Sequence, residues 1–290
     1  MKSEAAVVCP PGMSQTAPSL LLLIPAYNEE QRIGPVLEAY AQYFGQHYPG
    51  QFQLVVVLNG CTDNTWGVVQ QVAAKFPCIS ALNFPERIGK GGALIEGLKL
   101  ANRADLIGYV DADGATPPRA FHELVKQIDQ ADCVIGSRWL PGAVLHQAQS
   151  RRRQLASRVF HAIVQLLFWL NIRDTQCGAK VMRRHAVEKV QADLCIADMA
   201  FDINLLYALK RAGCRILELP TEWTDKMGSK VALGRTSLTM LLSVIRLRLI
   251  HSKLRPALRW LRPFETWLYR KLRAPVPLSQ TERAKRTAGL

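Results

Sequence analysis

The chain has 290 residues, is 49% hydrophobic and 21% charged, and carries a net charge of +14 at neutral pH. Apolar content at this level can bury a core, which excludes a wholly disordered chain, and the composition is neither collagen-like nor that of a disulfide scaffold. The seven cysteines are scattered, odd in number and nowhere spaced as Cys-x-x-Cys. They fit reduced thiols in a cytosolic compartment better than a bridged framework or a zinc site.

Residues 1–18 carry Glu4 and the Pro10-Pro11 pair without a long apolar stretch, so they read as flexible and without a targeting signal. The run at 20–24, ended by Pro25, predicts a buried strand, and 30–44 follows with helical periodicity. A second strand is expected at 52–58, closed by Asn59-Gly60, then a helix at 64–76 and a weaker strand at 79–84. A Gly-rich turn precedes a helix at 91–103, and a strand at 106–110 runs into Asp111. Pro117-Pro118 opens a helix that continues to 128, because proline is tolerated in a first helical turn, and 132–136 is a fifth strand. Apolar strands alternating with helices imply an α/β fold: a mostly parallel, Rossmann-like sheet covered by helices on both faces. The apolar, aromatic segment 159–170 suits either a core helix or one that faces a membrane.

The charge is concentrated at the C-terminal end. After residue 234 there are 13 lysines and arginines against two acids, so the preceding body is nearly neutral. Leu238, Leu241, Leu242, Ile245, Leu249 and Ile250 recur at helical spacing with Arg246, Arg248 and Lys253 among them. Trp260, Phe264 and Trp267 lie beside further cations. Residues 235–274 therefore read as basic amphipathic helices, suited to an anionic membrane interface or to packing on the body or on a second subunit in a homo-oligomer. Residues 275–290 read as disordered. No apolar run approaches the ~20 residues a bilayer requires. The expected placement is cytoplasmic, with peripheral association to the membrane.

In a parallel sheet, ligands bind beyond the carboxyl ends of the strands. The residues there are Pro25, Tyr27 and Glu29 after the first strand, Asn59 and Asp63 after the second, and Lys90 within Gly-Lys-Gly-Gly after the third. Asp111 and Asp113 follow the fourth. These amides, carboxylates and a lysine suit a nucleotide diphosphate and a divalent cation. Two aspartates one residue apart diverge on a strand and converge only if the chain turns, which Gly114 permits. Either Mg²⁺ or Mn²⁺ would take carboxylate and phosphate oxygens there. A nucleic-acid-binding role would account for the net charge but not for carboxylates along the ligand edge, so no nucleic-acid partner is expected.

The blocks IPAYNEE (24–30), NGCTDNT (59–65), RIGKGGAL (87–94), YVDADGATPP (109–118) and VIGSR (134–138), in this order and spacing, resemble a family 2 glycosyltransferase of the GT-A fold. Residues 157–184 and 201–231 are similar to its dolichyl-phosphate glucosyltransferase and dolichyl-phosphate mannose synthase branch. The likeness covers about 19–235, and 19–234 would be the catalytic domain. It implies inverting transfer of a hexose from UDP-glucose or GDP-mannose to a polyprenyl phosphate; a soluble relative acting on a polysaccharide or small molecule is the alternative.

Carried onto this chain, the resemblance makes Pro25, Tyr27, Glu29 and Asp63 holders of the nucleoside and its surrounding loop. Asp111 and Asp113 become the metal-binding pair, with Asp113 the leading ligand, and Arg138 lies near the diphosphate or sugar. Arg153 and Ser157 match acceptor-phosphate binders, and Ser229 and Lys230 lie on a loop that closes over phosphates. Asp202 is the candidate base if one is used, or else a structural carboxylate. A polyprenyl phosphate is already anionic and has little need of a base. The family usually reads Asp-Asp-Gly-Ser where this chain has Leu58-Asn59-Gly60-Cys61. Asn59 is expected to accept from a base N–H, and the identity of base and sugar stays open.

Overall fold

A computed structural model describes residues 17–146, 151–224 and 233–252, with side chains from 157 and 238 onward in the last two ranges. The first four strands are β1 (Leu20–Ala26), β2 (Phe52–Asn59), β3 (Ile79–Phe84) and β4 (Leu106–Tyr109). Between them run α1 (Ile33–His47), α2 (Thr65–Lys75) and α3 (Gly89–Leu98), and α4 (Pro118–Lys126) follows β4. The chain continues through β5 (Cys133–Ser137), β6 (Val144–Leu145), α5 (Arg151–Phe168), β7 (Lys180–Arg183), α6 (Arg184–Val190) and α7 (Phe201–Arg211). It then forms β8 (Ile216–Pro220), β9 (Glu222–Trp223) and α8 (Leu233–Ile250).

The five expected strands form within two residues of their predicted bounds, β1 running on through Pro25 to Ala26. The α3 helix differs more. It starts at Gly89, so the Gly-rich stretch is the helix's own first turn, and a short 3-10 turn replaces its predicted end. The sheet order is β3-β2-β1-β4-β7-β5-β8, parallel except for β7, which is antiparallel to both neighbours. This is the expected mostly parallel sheet. In β1, Leu21 and Leu23 face one helical layer while Leu20, Leu22 and Ile24 face the other. Burial on both faces explains why the strand is apolar throughout rather than alternating.

The reversed strand changes which residues reach the ligand edge. Because β7 runs opposite to β4, its amino end lies at the edge where β1, β2 and β4 finish, with Lys180 paired to Tyr109. The segment leading into β7, Cys177-Gly178-Ala179, is thereby brought to that edge. Among the described residues, no helix is long and apolar enough to cross a membrane. The six described cysteines form no disulfide with one another.

Candidate active site

The chain turns at Gly114, φ +70°, as the Asp-x-Asp spacing requires. An Asp113 carboxylate oxygen accepts the Ala115 N–H at 2.9 Å, which fixes the turn. Burial, then the charge of Asp111, holds the Asp113 carboxyl above its ordinary range. Asp111 and Asp113 are both partly buried. A Cβ on Gly178 would lie 2.1 Å from an Asp111 oxygen, so the carboxylate fits there only because residue 178 is glycine. Lys90 sends its ammonium to the other oxygen of Asp111 at 2.6 Å, with Asp202 at 3.6 Å.

Behind this pair lies a buried network. Asp202, near the start of α7, accepts from Lys180 at 2.6 Å and from the Tyr109 hydroxyl at 2.5 Å through the same oxygen. The Lys180 ammonium also donates to the Cys177 carbonyl at 2.5 Å. Burial opposes charge on Asp202, but Lys180 and Lys90 outweigh it and hold the carboxyl below the usual range. For Lys90 burial likewise disfavours the charge, and Asp111 and Asp202 overcome it, raising the pKa. A carboxylate locked among two ammonium groups and a phenol is a poor proton acceptor. Asp202 thus contacts both lysines and the Tyr109 hydroxyl.

Arg138, predicted beside the diphosphate or sugar, holds its guanidinium against Asp174 in a two-pronged contact of 2.7 and 2.9 Å. The Arg138 backbone N–H donates to the same carboxylate at 3.0 Å, and the guanidinium lies over the Trp223 ring. Burial pushes the Asp174 carboxyl upward, Arg138 overrides this, and the pKa is lowered. Ser157 borders a small pocket beside Arg138, Trp139, His161 and Asp174. The Arg153 side chain, Ser229 and Lys230 lie outside the described residues.

On the other side of the edge, Asn59 is buried. Its side-chain oxygen accepts the backbone N–H groups of Ile88 at 2.6 Å and Gly89 at 2.9 Å. Those donors belong to the orphan groups at the start of α3, so Asn59 caps the turn that carries Lys90. The oxygen expected to meet a base N–H is thus engaged by the protein. Glu29 is likewise paired, with Arg32 at 2.6 and 2.7 Å, and Asp63 accepts from the Thr65 N–H and hydroxyl and from the Glu30 N–H. The Tyr27 ring lies under the Arg87 guanidinium at 4.4 Å, and Pro25 is half-buried in β1. A groove of about 340 Å³ opens beside Asp113, walled by Arg32, Pro35, Val36, Tyr40 and Pro117.

The structure therefore gathers Lys90, Asp111, Asp113 and Asp202 into one cluster. Pro25, Tyr27, Glu29, Asn59 and Asp63 lie on the first two strand ends and the loops after them. Sequence reasoning missed Asp174, Gly178 and Lys180, all within the stretch Asp174-Thr-Gln-Cys-Gly-Ala-Lys180. The clustering of polar residues between two apolar segments was the available signal.

A doubly covered, mostly parallel sheet bearing an acidic turn after β4 is the architecture expected of the GT-A fold. The family model for glycosyl transferase family 2 matches residues 22–191, more than half of the chain. The chain belongs to glycosyl transferase family 2. It is 32% identical over 228 residues to glycosyltransferase AglD of Haloferax volcanii, covering 78% of this chain and 36% of that protein. It is 35% identical over 223 residues to dolichyl-phosphate beta-glucosyltransferase ALG5C of Trichomonas vaginalis, covering 73% of this chain and 66% of that protein. The human dolichyl-phosphate beta-glucosyltransferase is 29% identical over 241 residues, covering 76% and 74%. The chain thus spans about a third of AglD and two thirds to three quarters of the other two relatives. Among solved structures, glucosyl-3-phosphoglycerate synthase from Mycobacterium tuberculosis, in complex with Mn²⁺, UDP and glucosyl-3-phosphoglycerate, shares the fold. That match has a TM-score of 0.60 and 18% identity and covers 81% of this chain and 82% of that one.

Proposed function

We propose that this protein is an inverting glycosyltransferase that moves glucose from UDP-glucose to the phosphate of a dolichyl-type polyprenol at a membrane surface. The observation that carries the reading is the cluster of Asp111, Asp113 and Lys90 at the carboxyl edge of the sheet. The choice of sugar and acceptor is supported by the names of the relatives, and the choice of UDP by the nucleotide held in the structural neighbour.

Asp111 and Asp113 fit a hard dication: both donors are carboxylate oxygens, and a cation offsets the burial and the Asp111 charge that together disfavour the ionised Asp113. Mg²⁺ or Mn²⁺ held there would stabilise charge that develops on the leaving diphosphate. Lys90, at the start of α3, supplies a second positive group at the same edge. Asp202 keeps the lysines in place, and the acceptor phosphate attacks without needing a proton removed. Ser157, with Arg153, Ser229 and Lys230, is proposed to receive that phosphate, and Tyr27, Glu29 and Asp63 to frame the nucleoside.

A surface location is supported by the outer face of α5 and α8, which pack together. Leu166 and Trp169, on and just beyond α5, are 74% and 76% exposed, and Leu238, Ile245 and Leu249 on α8 are also exposed. Exposed Arg158 and Arg248 lie among them, the apolar-plus-basic mixture that favours an anionic leaflet.

The test is a transfer assay with polyprenyl phosphate and either UDP-glucose or GDP-mannose, with and without Mn²⁺. Glucose transfer that depends on Mn²⁺ and falls at least about a hundredfold in Asp113→Ala is expected, the size typical of losing a transition-state charge stabiliser. Undiminished turnover in that variant would overturn the assignment of the site.

A further inference from the structure

Lys90 sits where a bound cation would have to act. Its ammonium is 2.6 Å from the Asp111 oxygen, and the side chain is only 14% exposed. The second carboxylate within reach, Asp202, already takes the Lys180 ammonium at 2.6 Å and the Tyr109 hydroxyl at 2.5 Å. The local charges therefore pair off as Lys180 with Asp202 and Lys90 with Asp111, leaving Asp113 as the remaining negative group of the acidic pair. A dication arriving alone meets one carboxylate occupied by an ammonium and must share its neighbourhood with that positive charge. The backbone under Lys90 is clamped: Asn59 accepts from Ile88 and Gly89, and the Gly92 N–H donates to the Ala197 carbonyl at 3.1 Å. What is left to move is the four-carbon side chain, which is long and flexible enough to swing from a carboxylate to a nearby diphosphate.

We propose that Lys90 is an internal counter-cation that occupies Asp111 in the nucleotide-free protein, competes there with a dication, and moves to a diphosphate when one binds. The inference rests on the proposed metal role of Asp111 and Asp113. Its consequence is coupled binding: the free protein takes up a dication weakly, and nucleotide and metal favour one another. By reciprocity, each must tighten the other by the same factor. Removing the Lys90 charge opens Asp111 to metal in the absence of nucleotide while taking away the group that the diphosphate attracts. It should therefore raise metal affinity and reduce the coupling at the same time.

Binding of Mn²⁺ to the full chain, read by the loss of the free-ion electron paramagnetic resonance signal with and without UDP, tests this without turnover. Wild type is expected to bind Mn²⁺ about tenfold or more tighter with UDP present, a coupling of ordinary size. Lys90→Gln is expected to bind Mn²⁺ several-fold tighter than wild type without UDP and to show reduced enhancement by UDP. Lys90→Arg, which keeps the charge, is expected to resemble wild type. Lys90→Gln binding no tighter than wild type in the absence of UDP, while wild type with UDP binds normally, would overturn the counter-cation role and leave the metal site standing. Wild type that fails to bind Mn²⁺ even with UDP would overturn both. If Lys90→Gln does not fold, acylation of Lys90 in the unsubstituted protein, followed by peptide mass spectrometry, provides the reading. Saturating Mn²⁺ alone should increase Lys90 labelling several-fold, and an unchanged rate overturns the proposal.

Discussion

Lys180 and Asp202 form an ion pair in the protein interior, Nζ to carboxylate oxygen 2.6 Å, with side chains 0% and 3% exposed. One comes from the reversed strand β7 and the other from the first turn of α7, so the pair ties the sheet to the helix behind the acidic turn. A buried pair of this kind is poor evidence for net stabilisation, yet breaking one side of it is severe. Asp202→Ala leaves Lys180 with a carbonyl and a phenol and leaves Lys90 with a single carboxylate. We expect a loss of about 3–5 kcal/mol in urea denaturation, the range for an uncompensated buried charge. The double variant Lys180→Met/Asp202→Leu should be more stable than Asp202→Ala alone; a simple sum of the two single losses would contradict the pairing.

The same network sets the sign of the acid response. Asp202 and Asp174 both have folded-state pKa values below the ordinary range, because Lys180 and Arg138 outweigh the effect of burial. The fold thus favours their ionised forms. Their contribution is complete above the unfolded carboxylate pKa of about 3.9 and is lost as pH falls through the depressed folded values. Asp113 works in the opposite sense, since its raised pKa returns stability as it protonates. The expected melting temperature falls below about pH 4 as Asp202 and Asp174 protonate. Asp174→Asn should be less stable at neutral pH and show a shallower acid slope; an unchanged slope would rule out the Arg138–Asp174 pair as its source.

Asn59 provides a test of how Lys90 is positioned. Asn59→Ala leaves the part-buried Ile88 and Gly89 N–H groups without their acceptor, at a cost below the about 1–3 kcal/mol of a fully buried unpaired donor. Asn59→Asp keeps an acceptor and adds negative charge at a helix start, which is favourable there. Thermal melting should therefore rank wild type and Asn59→Asp above Asn59→Ala. Initial rates of transfer should fall about tenfold or more in Asn59→Ala, equivalent to about 1.4 kcal/mol of misplacement at Lys90. Equal rates in the alanine and aspartate variants would show that the cap does not govern the lysine.

Much of the fold was legible because it is written locally. Four of the first five strands are short apolar runs with turn residues after them, because burial on both faces makes such runs continuous, and β3, at the sheet edge, is mixed. The reversed strand was not legible. Lys180 opens it, and a lysine argues against a buried strand unless a carboxylate distant in sequence neutralises it, as Asp202 does here. The Gly-rich stretch was expected as a turn before a helix and is the helix itself, since Asn59 supplies the cap that the stretch lacks. Asp202 had two readings, base or structural carboxylate, and only its surroundings separate them.

Composition and strand-by-strand pattern by themselves determined the layered architecture, the acidic turn after β4 and the edge at which ligands would collect, because each follows from residues adjacent in the chain. Which charges neutralise one another was decided by tertiary structure alone. Lys90 with Asp111, Lys180 with Asp202 and Arg138 with Asp174 join groups 21 to 36 positions apart. Coulombic attraction in a buried site depends on distance through space, and separation along the sequence carries no record of it.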